Sequence, residues 1–368
     1  MRVELNGVHV NRDKKPILRD FGLTTEENEY LVILGGNGVG KTTTLRTIAG
    51  LQSLHAGDVL LGGASVAHLP PRKRSVSMVF QDNALFPHLT VGQNIQQSQK
   101  RERTKKERDA EFNEITNRLR LDSLIHRYPD QLSGGEARRT AIAKAMAKRA
   151  DIRLLDEPLS ALDPVLRPQL LHDLHLWHST SGGTTIHVTH DGEEAMQIAD
   201  RIAILSDGQI AQVDTPTKIY DQPVNLDAAT ALGCPAMNLI RFGEPSDQGG
   251  VHLDVPPNWL SMKSIRSENV ILGVRPEDIR ITETAGSDPA NPNQYLSLKV
   301  EISRYWRSHT RLRLSTIWNN ELIEISLDPN DQHSSDLIGD LVPGNRLQAY
   351  VSLDRIHIFE ADSGLRID

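Results

Sequence analysis

The sequence has little cysteine, few aromatic residues and no long apolar run. Its single cysteine, Cys234, cannot form a disulfide within the chain, which favours a reducing compartment. A lone thiol is ordinarily a small buried hydrophobe, and the alternative is a thiolate nucleophile. No apolar run approaches the roughly 20 residues that a membrane-spanning helix needs. The start, Met1–Gly7, lacks the apolar core of a secretory signal, so we expect a cytoplasmic location.

The sequence also lacks a basic excess. It has 41 lysines and arginines against 48 aspartates and glutamates, for a net charge of -7. Proteins that bind nucleic acid usually carry the opposite balance, so we expect no nucleic-acid partner. The hydrophobic share of 38% and the charged share of 24% are typical of a globular protein. With domains of roughly 100–200 residues, the length of 368 residues predicts two or three domains.

Short apolar runs alternate with helical patterns in the first two thirds of the chain. Tyr30–Leu34, Ile152–Leu155 and Thr185–Thr189 are predicted as buried strands, because each is a short run of mainly apolar and β-branched residues. Thr42–Ala49 and Pro164–Trp177 have helical spacing. Strands that alternate with helices in this way predict an α/β fold with a parallel sheet.

Two further zones differ from this pattern. Residues from about 88 to 150 are helical and charged, and Lys100–Asp109 is either a solvated helix surface or a contact for anionic lipid. From about Pro235 onward, short alternating runs separated by turn clusters such as Ser287–Asn293 predict a small all-β barrel or sandwich. The predicted strands are Val270–Val274, Leu296–Ile302, Leu322–Leu327, Leu347–Val351 and Arg355–Phe359.

A glycine-rich loop carries the first chemical motif. Gly35–Thr42 fits G-x-x-x-x-G-K-[ST], follows a predicted strand and precedes a predicted helix. Its glycines let backbone N–H groups point into one concavity around phosphates, and the helix N-terminus adds positive potential. Lys41 would reach the β- and γ-phosphates of ATP, and the Thr42 hydroxyl would ligate Mg²⁺. The predicted nucleotide-binding residues of this loop are Gly35, Gly36, Asn37, Gly38, Val39, Gly40, Lys41, Thr42 and Thr43.

Two adjacent carboxylates form the second motif. In Arg153–Pro158 an apolar strand ends in Asp156 and Glu157. We expect Asp156 to hold Mg²⁺, through water, and Glu157 to orient and deprotonate the attacking water.

The segment Leu132–Glu136 discriminates among nucleotide-binding proteins. Its order Leu-Ser-Gly-Gly-Glu, between the phosphate loop and the paired carboxylates, resembles the signature of the ATP-binding cassette family. A hydroxyl and two glycines at a helix start make an anion site. The resemblance implies that Ser133, Gly134 and Gly135 complete the ATP site of a second subunit, with Ser133 and Gly135 at the γ-phosphate.

Three shorter elements match the same family. Gln81 fits the Q-loop, which touches Mg²⁺ and water and is expected to act in catalysis. Ser160–Asp163 fits the D-loop, which implies a nucleotide contact for Asp163. His190 fits the switch histidine, which contacts the γ-phosphate. Each would be weak alone, and their common order carries the resemblance.

The sequence departs from the family at three places. Glu136 stands where the signature usually has glutamine, and its carboxylate either lowers phosphate affinity or faces solvent. Ala137–Arg139 replaces a run that is usually Gln-Arg or similar. Arg12 occupies the slot of an aromatic ring that stacks on adenine. A guanidinium plane can stack on a base, so we predict that Arg12 does so and that Arg12→Ala lowers nucleotide affinity.

The resemblance implies a complete architecture. The fold is an α/β P-loop NTPase core with an inserted helical subdomain at about 88–150, followed by a small all-β, OB-like barrel. The expected domains are the ATP-binding cassette at 1–235 and an accessory, regulatory β domain at 236–368. Two chains are expected to form a homodimer around two ATP molecules, each lying between the phosphate loop of one chain and the signature of the other.

The tail narrows the resemblance to the maltose-type importer ATPases. The matching segments are Leu272–Ile279, Pro235–Leu239 and Arg355–Gly364. Members of that group pair with two integral-membrane permease subunits and, indirectly, with a substrate-binding protein. They lie at the cytoplasmic face of the membrane, and a carbohydrate is the favoured solute. A permease helix would dock on Asp82–Leu89, where Leu85 and Phe86 serve either as its contacts or as core residues.

Other functions remain open from the sequence. The same tail accompanies importers of polyamines, iron, oxyanions and glycerol phosphate. The β domain is alternatively a module that binds a transcription factor or a small effector. A third alternative is a cassette ATPase with no role in transport.

Overall fold

The structure is a computed structural model, and contacts within it divide the chain into two units, Met1–Asp221 and Gln222–Asp368. It describes residues 1–12, 15–99, 103–160, 162–242, 253–254, 269–282, 295–301, 304–307, 312–318, 321–327 and 346–368.

A six-stranded sheet organises the first unit. Its strand order is β10-β9-β3-β8-β7-β6, and every neighbouring pair is parallel except β9 with β10. Continuous apolar runs suit such strands because helices cover both faces of a parallel sheet. The three strands predicted from the sequence, β3, β7 and β8, lie side by side in its centre. The bounds are β3 Tyr30–Leu34, β6 Val76–Val79, β7 Ile152–Asp156, β8 Thr184–Thr189, β9 Arg201–Ser206 and β10 Gln209–Asp214.

A second, antiparallel sheet shares the hydrophobic core of the first. Its strand order is β2-β1-β4-β5. Side chains from both sheets and from α1 (Lys41–Ala49) form one buried cluster that includes Phe21, Ile33 and Leu45. The strands are β1 Val3–Arg12, β2 Lys15–Thr24, β4 Ala56–Leu61 and β5 Ala64–Ser65. The remaining helices of the core are α5 Arg167–Ser181, α6 Gly192–Ile198 and α7 Pro216–Asp221.

The region predicted as helical contains α2 (Val91–Gln96), α3 (Lys105–Arg118) and α4 (Gly134–Ala147). Each begins with a capping box, in which a hydroxyl and a Glu or Gln three residues later exchange hydrogen bonds with the backbone. Lys105–Lys106 is exposed at the start of α3, in agreement with a solvated helix, while residues 100–102 lie outside the described residues. Short 3-10 helices span Pro71–Lys73, Asp122–Leu124 and Pro129–Gln131.

The second unit begins with α8 (Leu226–Ala231), and its described remainder consists of strands and short 3-10 turns at Pro276–Asp278 and Leu353–Arg355. The sheets have the orders β11-β13-β20, β12-β15-β19-β14 and β16-β17-β18. All five predicted strands are present, whereas Ser287–Asn293 lies outside the described residues and closure into a barrel stays a prediction. The strands are β11 Asn238–Phe242, β12 Leu253–Asp254, β13 Val270–Val274, β14 Ile279–Thr282, β15 Tyr295–Glu301, β16 Arg304–Arg307, β17 Leu312–Trp318, β18 Glu321–Leu327, β19 Arg346–Ser352 and β20 His357–Glu360.

The segment that joins the units packs with the second one. Arg275 donates hydrogen bonds to the carbonyl oxygens of Ala229 at 3.1 Å and Leu232 at 2.7 Å. The boundary between the two packing units therefore lies after Asp221, before the predicted domain boundary at 235. The functional bounds 1–235 and 236–368 stay a prediction. Cys234 is exposed, so the interpretation of this thiol as a buried hydrophobe is wrong.

Candidate active site

The phosphate loop lies between β3 and α1, as the motif predicts. A Cβ atom at Gly35 would lie 2.4 Å from the carbonyl oxygen of Leu205, so only glycine fits there. Gly38 and Gly40 have φ angles of 80° and 116°, a backbone conformation that L-residues rarely adopt. The loop can therefore curl and present its N–H groups together with those at the start of α1.

Lys41 begins α1 and turns back over the loop. Its ammonium donates hydrogen bonds to the carbonyl oxygens of Gly35 at 2.9 Å and Gly36 at 2.8 Å, and lies 3.9 Å from a carboxylate oxygen of Glu157. Burial lowers the pKa of Lys41, and the carboxylates of Glu157 and Asp156 oppose that shift. The lysine thus places a positive charge between the loop and the paired carboxylates.

Thr42 and Asp156 supply adjacent oxygen atoms. The Thr42 hydroxyl donates to Oδ1 of Asp156 at 2.9 Å. Burial raises the pKa of Asp156, while the Thr42 hydrogen bond opposes the rise. A hydroxyl beside a buried carboxylate fits Mg²⁺, which prefers oxygen ligands. Within the described residues no group of three or more His, Cys, Asp or Glu could hold a metal ion.

Glu157 follows β7 in a strained conformation. Its φ angle is 46°, although it is not glycine. The backbone is held on both sides, because its N–H donates to the carbonyl oxygen of Val188 at 3.0 Å and its carbonyl accepts from the Ser160 hydroxyl at 3.0 Å. Its carboxylate lies 3.4 Å from Nδ1 of His190, and the side chain is 15% exposed. The neighbouring strands β7 and β8 bring this carboxylate and imidazole together.

The remaining predicted residues lie at surfaces that a ligand can reach. His190 directly follows β8 and is 54% exposed. Gln81 lies shortly after β6 and is exposed. Asp163 is exposed and its carboxylate accepts from the N–H of Val165 at 2.9 Å, which organises the turn before α5; Ala161 of the same loop lies outside the described residues.

The signature forms the start of α4. Ser133 is the exposed N-cap residue, and its hydroxyl accepts from the Glu136 N–H at 3.3 Å. Glu136 returns a hydrogen bond, because its carboxylate accepts from the Ser133 N–H at 2.8 Å. The unusual carboxylate therefore caps the helix. Gly134 is exposed, and a Cβ atom at Gly135 would lie 3.4 Å from a methyl group of Leu162, which is an ordinary van der Waals contact.

The structure gathers the loop, the carboxylates and the histidine, and leaves the role of Arg12 a prediction. Arg12 is the exposed last residue of β1 and pairs with Lys15 at the start of β2. Farther along β2, Leu18 would lie 2.8 Å from a Cβ atom at Gly40, so this strand borders the phosphate loop.

One residue of the site had no role in the sequence analysis. Arg138 of α4 is 1% exposed and donates to the carbonyl oxygens of Asp156 and Glu157. Its spacing does place it on the buried face of α4, three residues before Ala141 and seven before Ala145. An arginine at a position that otherwise belongs to the apolar face of a helix was the sequence signal that could have identified Arg138 as a buried residue of the site.

Comparisons with known proteins decide the family. A family model described as ABC transporter matches residues 18–160. A xylose/arabinose import ATP-binding protein of Haloferax volcanii is 36% identical over 353 residues, which cover 95% of this chain and 91% of the relative. This chain is an ABC transporter ATP-binding protein. The predicted family, fold class and ATPase activity are thereby confirmed.

Two further likenesses define this ABC transporter ATP-binding protein. A spermidine/putrescine import ATP-binding protein of Thermotoga maritima is 39% identical over 287 residues, 76% of this chain and 77% of that one. The dimeric, post-hydrolysis state of an ATP-binding cassette bound to ADP and Pi matches with a TM-score of 0.53 at 28% identity, covering 58% of this chain and 98% of that chain. In the described part of the ABC protein, no helix is long and apolar enough to cross a membrane.

Proposed function

We propose that this chain is the ATP-hydrolysing subunit of an importer, and that it works as a homodimer at the cytoplasmic face of the membrane. The observation that carries the proposal is the convergence of Lys41, Thr42, Asp156, Glu157 and His190 within hydrogen-bonding or ion-pair distances. This set supplies a phosphate cation, a metal site, a general base and a γ-phosphate contact in one place.

The geometry supports a division of chemical labour. Lys41 and the loop N–H groups would bind the β- and γ-phosphates, and Thr42 with Asp156 would hold Mg²⁺, which supplies positive charge to the phosphate oxygens when bound. Glu157 would take a proton from water as its oxygen bonds to the γ-phosphorus and the bond to the leaving ADP oxygen breaks. Gln81 and His190 would orient that water and the phosphate.

The dimer follows from where the signature lies. The hydrogen bonds of Ser133 described above stay within α4, and its hydroxyl is exposed at the positive end of that helix. An anion approaching from outside would meet Ser133, Gly134 and Gly135 there. We propose that this anion is the γ-phosphate held by the partner chain, in a two-fold arrangement with Asp163 beside it.

The test uses Glu157→Gln, which removes the base and keeps the shape. With ATP and Mg²⁺ it should hydrolyse on the order of a hundredfold or more slowly and accumulate as a dimer, measured by sedimentation velocity. The same variant with ADP should stay monomeric, and Lys41→Ala should lose nucleotide affinity. A Glu157→Gln chain that binds ATP and remains monomeric at all accessible concentrations would contradict the proposal.

We further propose that the homodimer pairs with two permease subunits, and that each chain receives a helix of one of them in a groove of about 470 Å³ beside the Q-loop. Phe86 is 39% exposed in this groove, and the ammonium of Lys144 lies 4.0 Å from its ring centroid. Lys148 also lines it. A groove that is lined by an exposed ring and two lysines suits a helix that carries apolar and acidic side chains. Leu85, the other predicted contact, is half-buried.

A sugar is the solute that we propose, delivered by a substrate-binding protein. The xylose/arabinose relative matches 95% of this chain, which includes the C-terminal unit, whereas the polyamine relative matches 76%. Uptake of labelled pentose and labelled putrescine should be compared in cells with and without the chain. Loss of putrescine uptake alone would overturn the assignment to sugars.

A further inference from the structure

Arg138 is a buried cation at the meeting point of three functional segments. It lies five residues after Ser133 on α4, its side chain is 1% exposed, and it is among the largest fully buried side chains described. Arginine is almost never fully buried unless it is paired. Its surroundings should therefore explain why the sequence keeps a charge there.

The guanidinium is fully hydrogen-bonded. It has five N–H donors in a rigid fork, and its three nitrogens contact five acceptors. Nε donates to the carbonyl of Pro158 at 2.9 Å and Nη1 donates to Oδ1 of Asn83 at 3.2 Å. The other acceptors are the carbonyl oxygens of Phe80, which also receives Nη1, and of Asp156 and Glu157, which receive Nη2.

These acceptors belong to different parts of the site. Phe80 and Asn83 flank the exposed Gln81, whereas Asp156, Glu157 and Pro158 form the end of β7 and the turn after it. One side chain of the signature helix thus joins the Q-loop to the catalytic carboxylates. Burial lowers the pKa of Arg138, and the negative charges of Asp156 and Glu157 oppose that shift.

Among these contacts, the hydrogen bond to the Glu157 carbonyl bears on the reaction, because it holds the backbone that positions the Glu157 carboxylate. Left-handed backbone is unfavourable for a glutamate and persists only where the surroundings over-determine it. Here the Glu157 N–H is bound by Val188 and its carbonyl by Ser160 and Arg138. That conformation places the carboxylate 3.4 Å from His190 and 3.9 Å from Lys41.

We propose that Arg138 is a positioning residue for ATP hydrolysis: its fork fixes the backbone of Glu157 and ties it to the Q-loop and the signature helix. The inference rests on the proposed function, because it assumes that Glu157 is the general base. Within one chain, Arg138 then links the signature helix, which faces the ATP bound by the partner chain, to Glu157, the general base for the ATP bound by this chain. A shift of α4 on dimerisation would move Glu157.

Other side chains cannot reproduce the fork. Lysine keeps the charge but has a single nitrogen, which cannot span acceptors on both loops. Glutamine has two N–H donors and would leave most of the five acceptors without this partner. We therefore expect both Arg138→Lys and Arg138→Gln to bind ATP and to hydrolyse it slowly.

The first experiment measures kcat and KM for ATP in the full-length chain. For Arg138→Gln and Arg138→Lys, kcat should fall by roughly tenfold to a hundredfold, the effect of misplacing a catalytic group by about 1 Å, with KM changed less than about threefold. Arg153→Gln is the matched control. Arg153 is a 2% exposed arginine at the other end of β7 that donates to the Gly182 carbonyl, and its loss should lower stability and leave kcat unchanged.

The second experiment separates positioning from general damage. If Arg138 acts through Glu157, then Arg138→Gln should add little to the loss already caused by Glu157→Gln, whereas independent damage would multiply the two losses. A folded Arg138 variant with wild-type kcat, or fully multiplicative losses, overturns the proposal. Failure of both Arg138 variants to fold, seen in thermal unfolding, also overturns it by assigning the residue to stability.

The outcome is distinguishable from failure of the proposed function. If Glu157→Gln hydrolyses ATP as fast as the wild type, then Glu157 is not the general base and the proposed function itself fails. The Arg138 comparison is interpreted only against a wild type that passes this test.

Discussion

Glu136 shows how a departure from a family pattern can be structurally neutral. Its carboxylate accepts from the Ser133 N–H at 2.8 Å, and that backbone hydrogen bond is the main reason that the pKa of Glu136 lies below its ordinary value. Glutamine makes the same capping-box hydrogen bond. The carboxylate therefore serves the helix start, and its negative charge also suits the positive end of the helix.

The capping role predicts a pH-dependent stability effect. Glu136→Ala should lower the free energy of unfolding by about 0.5–1 kcal/mol at neutral pH, because it removes one half of the box. Since the pKa is lowered by folding, the stabilisation is full above the unfolded-state value of about 4.3 and is lost as the pH falls through the folded-state value. Thermal unfolding of both proteins from pH 7 to pH 3 measures this.

The control is Glu136→Gln, which keeps the hydrogen bond and has no titrating group. Its stability relative to Glu136→Ala should change little with pH. A difference between wild type and Glu136→Ala that stays constant down to pH 3 would contradict the capping role.

At the same scale, the sequence predicted the residues whose role follows from local spacing. Lys41, Thr42, Asp156 and Glu157 were predicted as site residues because each lies at a fixed position after a recognisable strand. Arg138 was not, because its five acceptors come from segments up to 58 positions away in the chain. Nothing in the residues next to it specifies those partners.

At the scale of elements, continuous apolar runs predicted strands correctly, whereas a short mixed strand was missed and the start of a helix was misplaced. Val270–Val274 and Tyr30–Leu34 have the predicted bounds. β6 was missed, because Val76–Val79 has only four residues and Ser77 interrupts its apolar run. The helix predicted from Pro164 begins at Arg167, since Asp163 accepts from the N–H groups of Val165 and Leu166 and forms a turn first.

The groove between β6 and α4 gives a prediction at this scale. Phe86→Ala should leave ATP hydrolysis by the isolated chain within about twofold, because the exposed ring lies outside the chemistry, and should lower solute uptake roughly tenfold by removing a central aromatic contact. Uptake by cells and ATPase activity of the purified chain measure the two effects.

Met196→Ala is the matched control, since Met196 is 38% exposed on α6 and is not among the residues that line the groove. It should retain uptake. Normal uptake with Phe86→Ala, at equal amounts of chain, would show that the ring is not a docking contact.

At the scale of the whole molecule, the sequence motifs and the packing place the division differently. The cassette motifs end at His190, and the family resemblance put the boundary at 235. Packing assigns α8 to the second unit, where Ala229 lies in a buried cluster with Met237, Ile271 and Phe359. The burial of Ala229 depends on Ile271, 42 positions downstream, and on Phe359, 130 positions downstream, so no sequence pattern near 221 predicts it.

This packing predicts where the chain can be cut. A chain ending at Asp221 should fold and bind ATP, because its core is formed within 1–221. A chain ending at Pro235 keeps α8 but loses Ile271 and Phe359, which cover Ala229, and Arg275, which binds the carbonyls of Ala229 and Leu232. Exposed apolar surface and unsatisfied carbonyls should make it less soluble and its last residues sensitive to protease.

Expression of both truncated chains with limited proteolysis and nucleotide titration checks the point. Trimming of the longer chain back to about residue 221, with unchanged ATP affinity, is the expected result. If the chain ending at 235 is protected to its end while the chain ending at 221 fails to fold, then α8 belongs to the cassette. In that case the functional boundary lies at 235, and α8 does not need the β strands of the second unit in order to fold.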